Sequence, residues 1–506
     1  MKNKIWDVNL SIHATKSAET LKHQGRLTGP VVKEIAILMP DSDDLTKEHK
    51  RMVTMNFRQK TNDNKHLTFI PDYHRSYDPL QYPLIYPCGQ DGWHLDCKHT
   101  CLQHTSFQLM DRQDKDGNLI TNPILRGKSL TQQYVVDQFA KIELSQLNYI
   151  RNNQKEMRAE LYNGLKDAVT KDDGESIEKI GKKVILPSSF VTGDRFMHQH
   201  YQDAISLLRR FGKPHLFITM TTNPDWREIQ ENLRPGEKAI DRPDIVARVF
   251  KLKKQQLIQD IEKEMVFGKC IARIHTIEFQ KRGYPHMHLI VWLADKNHMT
   301  PEEIDEIICA EIPDKMVTIK KWDKQNNSYE SVEPNPLHTL VTEMMLHGPC
   351  GPLYPDKACM REGVCKSGFP KEFLSKTELS EDSKPLYRRI SPEEGGNTFI
   401  KNIKNEAHTF TNAHVVPHNK YLLYKYRCHI NVECVDSIHA IKYLFKYIVK
   451  GNDSAAFTIE SKDMTENKST NIDEVKLFQN KRYTSAGEGA WRIFCNEICE
   501  QFPPSN

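Results

Sequence analysis

Residues 269–293 read KCIARIHTIEFQKRGYPHMHLIVWL. Two β-branched, apolar runs flank the Lys281-Arg282-Gly283 corner, a pattern that predicts a hairpin of two strands. Side chains alternate across a strand. On the second run His286 and His288 therefore share one face, while Met287, Leu289 and Val291 take the other. On the first run Glu278 and Gln280 also share a face, and a hairpin can bring that face beside the histidines. Two imidazoles and an oxygen donor can hold one metal ion. Glu278 and Gln280 are both placed as the third ligand, one ligating and the other bonding a histidine from behind.

A second stretch, IKYLFKYIVKG at 441–451, has helical spacing. Tyr443 and Tyr447 are four apart and lie on one face; Lys446 and Lys450 lie on an adjacent one, and the stretch holds no acid. Singly, each feature has a plainer reading. A His-x-His strand is more often structural, and a pair of tyrosines on a helix usually packs into a core. The two features together point to chemistry.

The wording of three segments resembles the Rep nuclease of Helitron rolling-circle transposases, a two-tyrosine HUH endonuclease. HLFITMTTNPDW (215–226) resembles that family's first motif, FQKRGYPHMHL (279–289) its second and KYLFKYIVKG (442–451) its tyrosine motif. They stand in the family's order. YDPLQYPLIYPCGQDGWH (77–94), HGPCG (347–351) and HINVE (429–433) resemble its flanks, so the likeness runs from about 70 to at least 455.

The resemblance implies an α+β fold with an antiparallel, ferredoxin-like HUH nuclease sheet and helices packed on one side. It implies Mg2+ or Mn2+ at His286 and His288, with Glu278 or Gln280. It implies attack by Tyr443, with Tyr447 assisting or making a second transfer, through a 5′-phosphotyrosine link. The partner would be single-stranded DNA at transposon ends, and the compartment intracellular and nuclear. Lys446, Lys450, Lys281, Arg282, Asn223 and Trp226 are candidates to touch DNA, with Trp226, Tyr284 and Trp292 as stacking aromatics, Trp292 fitting a core position equally well. Family members continue into a helicase. Here Arg126-Gly127-Lys128-Ser129 ends like a phosphate loop, but Asn122 stands where that loop needs glycine. No ATPase is expected of this chain, and a helicase would be a partner. The competing reading is a catalytically decayed or host-adopted DNA-binding protein.

Composition bounds the rest. The chain has 506 residues, 38% hydrophobic and 27% charged, with a net charge of only +4, so any basic surface must be local. Residues 251–282 hold eight Lys/Arg against four Asp/Glu, most simply a solvated helix face. No apolar run approaches a membrane span, and the N-terminus has no signal core. The expected domains are a tail with short strands (1–70), a mixed N-terminal α/β domain (71–185), the nuclease (190–455) and a C-terminal extension toward a missing helicase (456–506). The longest helical pattern runs from Leu130 to about Val169. Residues 414–435 read as two strands.

Twelve cysteines in an intracellular chain favour metal ligands or buried thiols. Within a Cys/His-rich insertion (345–373), His347, Cys350, Cys359 and Cys365 follow His-x2-Cys-x8-Cys-x5-Cys in a Gly/Pro-rich loop, a pattern for structural zinc. Cys88, Cys97 and Cys101 with His94, His99 and His104 form a weaker candidate, for which free thiols are the favoured reading.

Overall fold

The computed structural model describes residues 9–12, 36–38, 52–56, 67–154, 184–279, 283–294, 299–323, 328–352, 354–379, 385–403, 405–435, 457–460, 473–479 and 482–504. The fold is mixed α+β, with several small antiparallel sheets around one larger sheet. Five strands build the larger sheet: β1 (Leu216–Thr221), β2 (Cys270–Phe279), β3 (Pro285–Leu293), β4 (Ile430–Cys434) and β5 (Cys499–Phe502). Their order is β4-β1-β3-β2-β5, and every neighbouring pair is antiparallel. The fifth strand arrives from the segment after 456, more than two hundred residues beyond its neighbour β2.

Alternation divides the sheet into two faces. Ile218, Met220, Met287, Leu289, Ile430 and Val432 point to the first and are buried in the larger core. Among the helices that contribute to that core are α1 (Ser129–Asn152), α3 (Pro243–Glu262), α5 (Lys420–Tyr426) and α6 (Ala486–Ile493). Burying each such aliphatic side chain is worth about 1.5–3 kcal/mol. The second face is half apolar. Phe217, Ala272, Ile274, Ile290 and Trp292 pack there under Ala204 and Leu207 of α2 (Asp194–Phe211). The Trp292 indole N–H donates to Gly212 O at 2.8 Å, tying the end of α2 to the sheet. Helices thus cover both faces, not one as the sequence reading expected. An amphipathic pattern states that a helix packs, not on which face.

The expected helix from Leu130 is α1 as far as Asn152, with Tyr134, Val135, Phe139, Ile142, Leu147 and Ile150 buried; its expected reach to about Val169 falls outside the described residues. The expected strand run through Tyr424 is replaced by a helix, α5, before β4. Asn419 caps α5 by accepting from Leu422 N.

α6 presses on the turn between β2 and β3. A Cβ added at Gly487 would lie 1.7 Å from Gly283 O, so only glycine allows this approach. Between α6 and α1, Arg482 is buried and bonds Glu143 (3.2 Å) and Glu488 (2.7 Å).

Candidate metal centres

The end of the second face away from α2's apolar patch is polar, and strand register arranges it in rows. His286 on β3 lies between Thr221 on β1 and Glu278 on β2; His288 lies between Thr219 and Thr276. Asn431 of β4 continues the second row beside Thr219. Met220, Met287 and Ile277, the residues between them on β1, β3 and β2, go to the opposite face, as alternation requires.

The rings are held from behind and from the side. Thr221 Oγ1 lies 2.8 Å from His286 Nδ1, and Thr219 Oγ1 lies 3.2 Å from His288 Nδ1. Phe217 stacks on the His288 ring, with centroids 5.7 Å apart and planes 4° apart. The two imidazoles meet edge-on, centroids 4.6 Å apart at 77°. His288 Nε2 and Glu278 Oε2 stand 3.2 Å apart. Two ligands on a divalent ion, each about 2.1 Å from it and at right angles, would be separated by about 3.0 Å. Two imidazoles and a carboxylate suit such an ion in chemistry, and His288 with Glu278 meets that spacing; among the described residues, only the His347 cluster of the insertion brings three or more ligand atoms within 4.8 Å of one another. Gln280, the other oxygen donor considered, lies outside the described residues. So do Lys281, Arg282, Tyr443, Lys446, Tyr447 and Lys450.

A second cluster lies in the insertion. The ligand atoms of His347, Cys350, Cys359 and Cys365 all fall within 4.8 Å of one another. Tetrahedral zinc with bonds of about 2.3 Å to sulfur needs ligand separations of about 3.8 Å. Local structure explains the convergence. Met360–Arg361 pairs with Val364–Cys365 across a two-residue turn, Glu362-Gly363, in which both residues have positive φ. That tight hairpin returns Cys365 towards Cys359. His347 stacks on Phe369, with centroids 4.3 Å apart and planes at 16°, and its Nε2 lies 3.3 Å from Cys365 Sγ.

The electrostatics differ among the ligands. Burial, with His414 and His429 nearby, keeps His347 below the usual imidazole range, hence neutral. Burial pushes the Cys350 thiol up to about 12, with Cys365 and Cys359 adding to the rise. Burial also opposes ionisation of Cys365, but backbone N–H groups of Phe369 and Ser367 hold that thiol below its ordinary value. The four side chains can hold a metal, and their chemistry is compatible with structural zinc.

The insertion is joined to the sheet by short links. Leu346 bridges Val415, and Val416 N donates to Met345 O at 2.7 Å. His429 Nδ1 lies 2.9 Å from Met344 O, at the end of α4 (Pro336–Met344). His429 O then accepts from Thr221 N at 3.0 Å, beside His286.

The Cys88–His104 region takes another form. Cys101 begins the helix Cys101–Gln108, and His99 stacks on His104 with centroids 5.3 Å apart. Among the described residues this region forms no group of three or more metal-ligand atoms.

The aromatics expected to stack on DNA are otherwise engaged. Trp226 and Trp292 are core residues, 3% and 0% exposed, and the Trp226 indole N–H donates to Tyr426 O at 2.6 Å. Tyr284 is half-buried against the core. Asn223 Nδ2 donates to Arg427 O at 2.7 Å, holding the loop after β1 to the end of α5. The structure instead exposes Tyr421 and Tyr424 on α5, near Lys420, Lys425 and Arg427. Sequence reasoning missed this set because it read the segment as a strand; the cap at Asn419 was the available signal.

The fold is mixed α+β, with two histidines and a carboxylate side by side at the polar end of its larger sheet. Residues 104–291 match the family model described as the Helitron helicase-like domain at the N-terminus. The match takes in β1, β2 and nearly all of β3, with Glu278, His286 and His288, and supports a Helitron-related protein with a transposase-related role. No curated protein matches the chain. Among the described residues, no helix is long and apolar enough to cross a membrane.

Proposed function

We propose that the chain is a metal-dependent endonuclease and strand transferase acting on single-stranded DNA, of the rolling-circle, two-tyrosine HUH type. The observation that carries this reading is the convergence of His286, His288 and Glu278 on one polar sheet end inside the Helitron-like match. His286, His288 and Glu278 would hold Mg2+ or Mn2+, which when bound polarises a phosphate and stabilises charge at phosphorus. The nucleophile is Tyr443, with Tyr447 for a second transfer, on the strength of the motif. The tyrosine oxygen bonds to phosphorus, the bond from phosphorus to the 3′ oxygen breaks, and that oxygen leaves as a hydroxyl. The phosphotyrosine link keeps the strand activated for rejoining.

The antiparallel sheet is consistent with a ferredoxin-like nuclease core, and α5 offers exposed Tyr421 and Tyr424 beside exposed Lys420 and Arg427, suited to a single strand, while Lys425 is held by Asp260. Zinc in the His347/Cys350/Cys359/Cys365 clip has a structural role. A helicase, in the nucleus, supplies unwinding.

The test is incubation with end-labelled single-stranded oligonucleotides and Mn2+. A covalent protein–DNA adduct is expected, lost in His286→Ala and in one of Tyr443→Phe and Tyr447→Phe. DNA binding without cleavage or adduct across many sequences would replace the nuclease with a DNA-binding protein of transposase descent.

A further inference from the structure

The centre's ligands stand on β2 and β3, but the groups behind their rings stand on β1. We infer that Thr219 and Thr221 are positioning residues, which fix the two imidazoles so that both present Nε2 to one divalent ion. The inference rests on the proposed reading of the centre and adds two residues to it.

The argument starts from alternation. In FITMTT, Ile218 and Met220 are buried in the larger core, so Thr219 and Thr221 must face the histidines. Register then sets each threonine directly opposite one histidine, Thr219 to His288 and Thr221 to His286. Both contacts are made at Nδ1, at 3.2 Å and 2.8 Å, never at Nε2. A hydroxyl oxygen accepting from Nδ1–H leaves the lone pair on Nε2, the form that binds a metal. His288 already turns its Nε2 towards Glu278.

The surroundings favour orientation over mere filling. Thr221 N is fixed by His429 O, and Thr222 donates its hydroxyl to Pro285 O at 2.6 Å, next to His286. Phe217 restrains the His288 ring by stacking on its face. Valine would fill the same space at either threonine and suit a strand as well, but it offers no acceptor. Serine keeps the acceptor with less bulk.

The experiment is calorimetric titration of the full chain with Mn2+, with the wild type, Thr219→Val/Thr221→Val, Thr219→Ser/Thr221→Ser and His286→Ala compared. Thermal midpoints in metal-free buffer accompany each titration. The double valine variant should bind Mn2+ about 10- to 100-fold more weakly, the usual cost of losing groups behind metal ligands. The double serine variant should recover most of that loss, and the metal-free midpoints should stay together. Equal Mn2+ affinity in the wild type and the double valine variant, with His286→Ala much weaker, would overturn the positioning role and leave the centre standing. A wild type that binds Mn2+ no better than His286→Ala would overturn the centre itself, and the inference with it.

Discussion

The sheet centre and the insertion clip use overlapping ligand types in opposite ways. On the sheet, the three proposed ligands project from two long strands whose backbone is fixed by cross-strand pairing. Thr219, Thr221 and Phe217 brace the rings, and the proposed set is incomplete: one carboxylate faces one imidazole, with the second ring beside them. In the clip, four ligands come from 19 residues that bury little of their own, and they already close around a point. Closed four-ligand sets are structural, whereas sets with open positions leave room for a substrate. The difference teaches that scaffold and ligand count go together. A rigid sheet can afford an incomplete set, while a loop needs a complete one to be a structure at all.

Stripping the metal would test the contrast most severely. Chelation, or Cys359→Ser, should release zinc and unfold 347–369 while the sheet stays folded, since zinc in small sites supplies on the order of 10 kcal/mol of apparent folding energy. Metal content and limited proteolysis across 347–369 would check it. A clip that stays protected without zinc would end the comparison.

The next effect strikes the sheet from outside its ligands. Gly487→Ala should destabilise the protein by roughly 3 kcal/mol, because the new methyl overlaps backbone at Gly283 and must displace the hairpin or α6. The readout is the denaturation midpoint, with zinc content unchanged. An unchanged midpoint would mean the hairpin does not depend on α6.

A smaller change separates packing from DNA contact. Tyr421→Ala/Tyr424→Ala should weaken binding of a labelled oligo-dT by about 30-fold, with stability kept, since each of two bases stacked on an aromatic is worth at least about 1 kcal/mol. Trp226→Phe should do the reverse, costing about 1 kcal/mol of stability through the lost bond to Tyr426 O and leaving DNA affinity alone. Fluorescence anisotropy and thermal melts would read both.

Much of the sheet centre was legible in the residues. Alternation in HMHLIVWL assigned the histidines and the core to opposite faces, and Glu278 is where a hairpin would bring it. The spacing of His347, Cys350, Cys359 and Cys365 likewise predicted their convergence. What escaped depends on pairing between distant segments. Thr219 and Thr221 alternate visibly, but only the register of β1 on β3 shows which ring each touches. Trp226 was misjudged because an indole after a turn looks the same in sequence whether it faces solvent or a backbone carbonyl. CEQF carries no periodicity, so nothing in its four residues marks it as a strand.

That last strand has a practical consequence for anyone isolating the catalytic piece. A fragment cut after the tyrosine motif, where the family resemblance fades, would leave β2 with a bare edge and remove the helix that seats its turn. β2 would then offer unpaired backbone to other copies. Such a fragment should precipitate or swap strands, and the useful cut lies beyond Phe502.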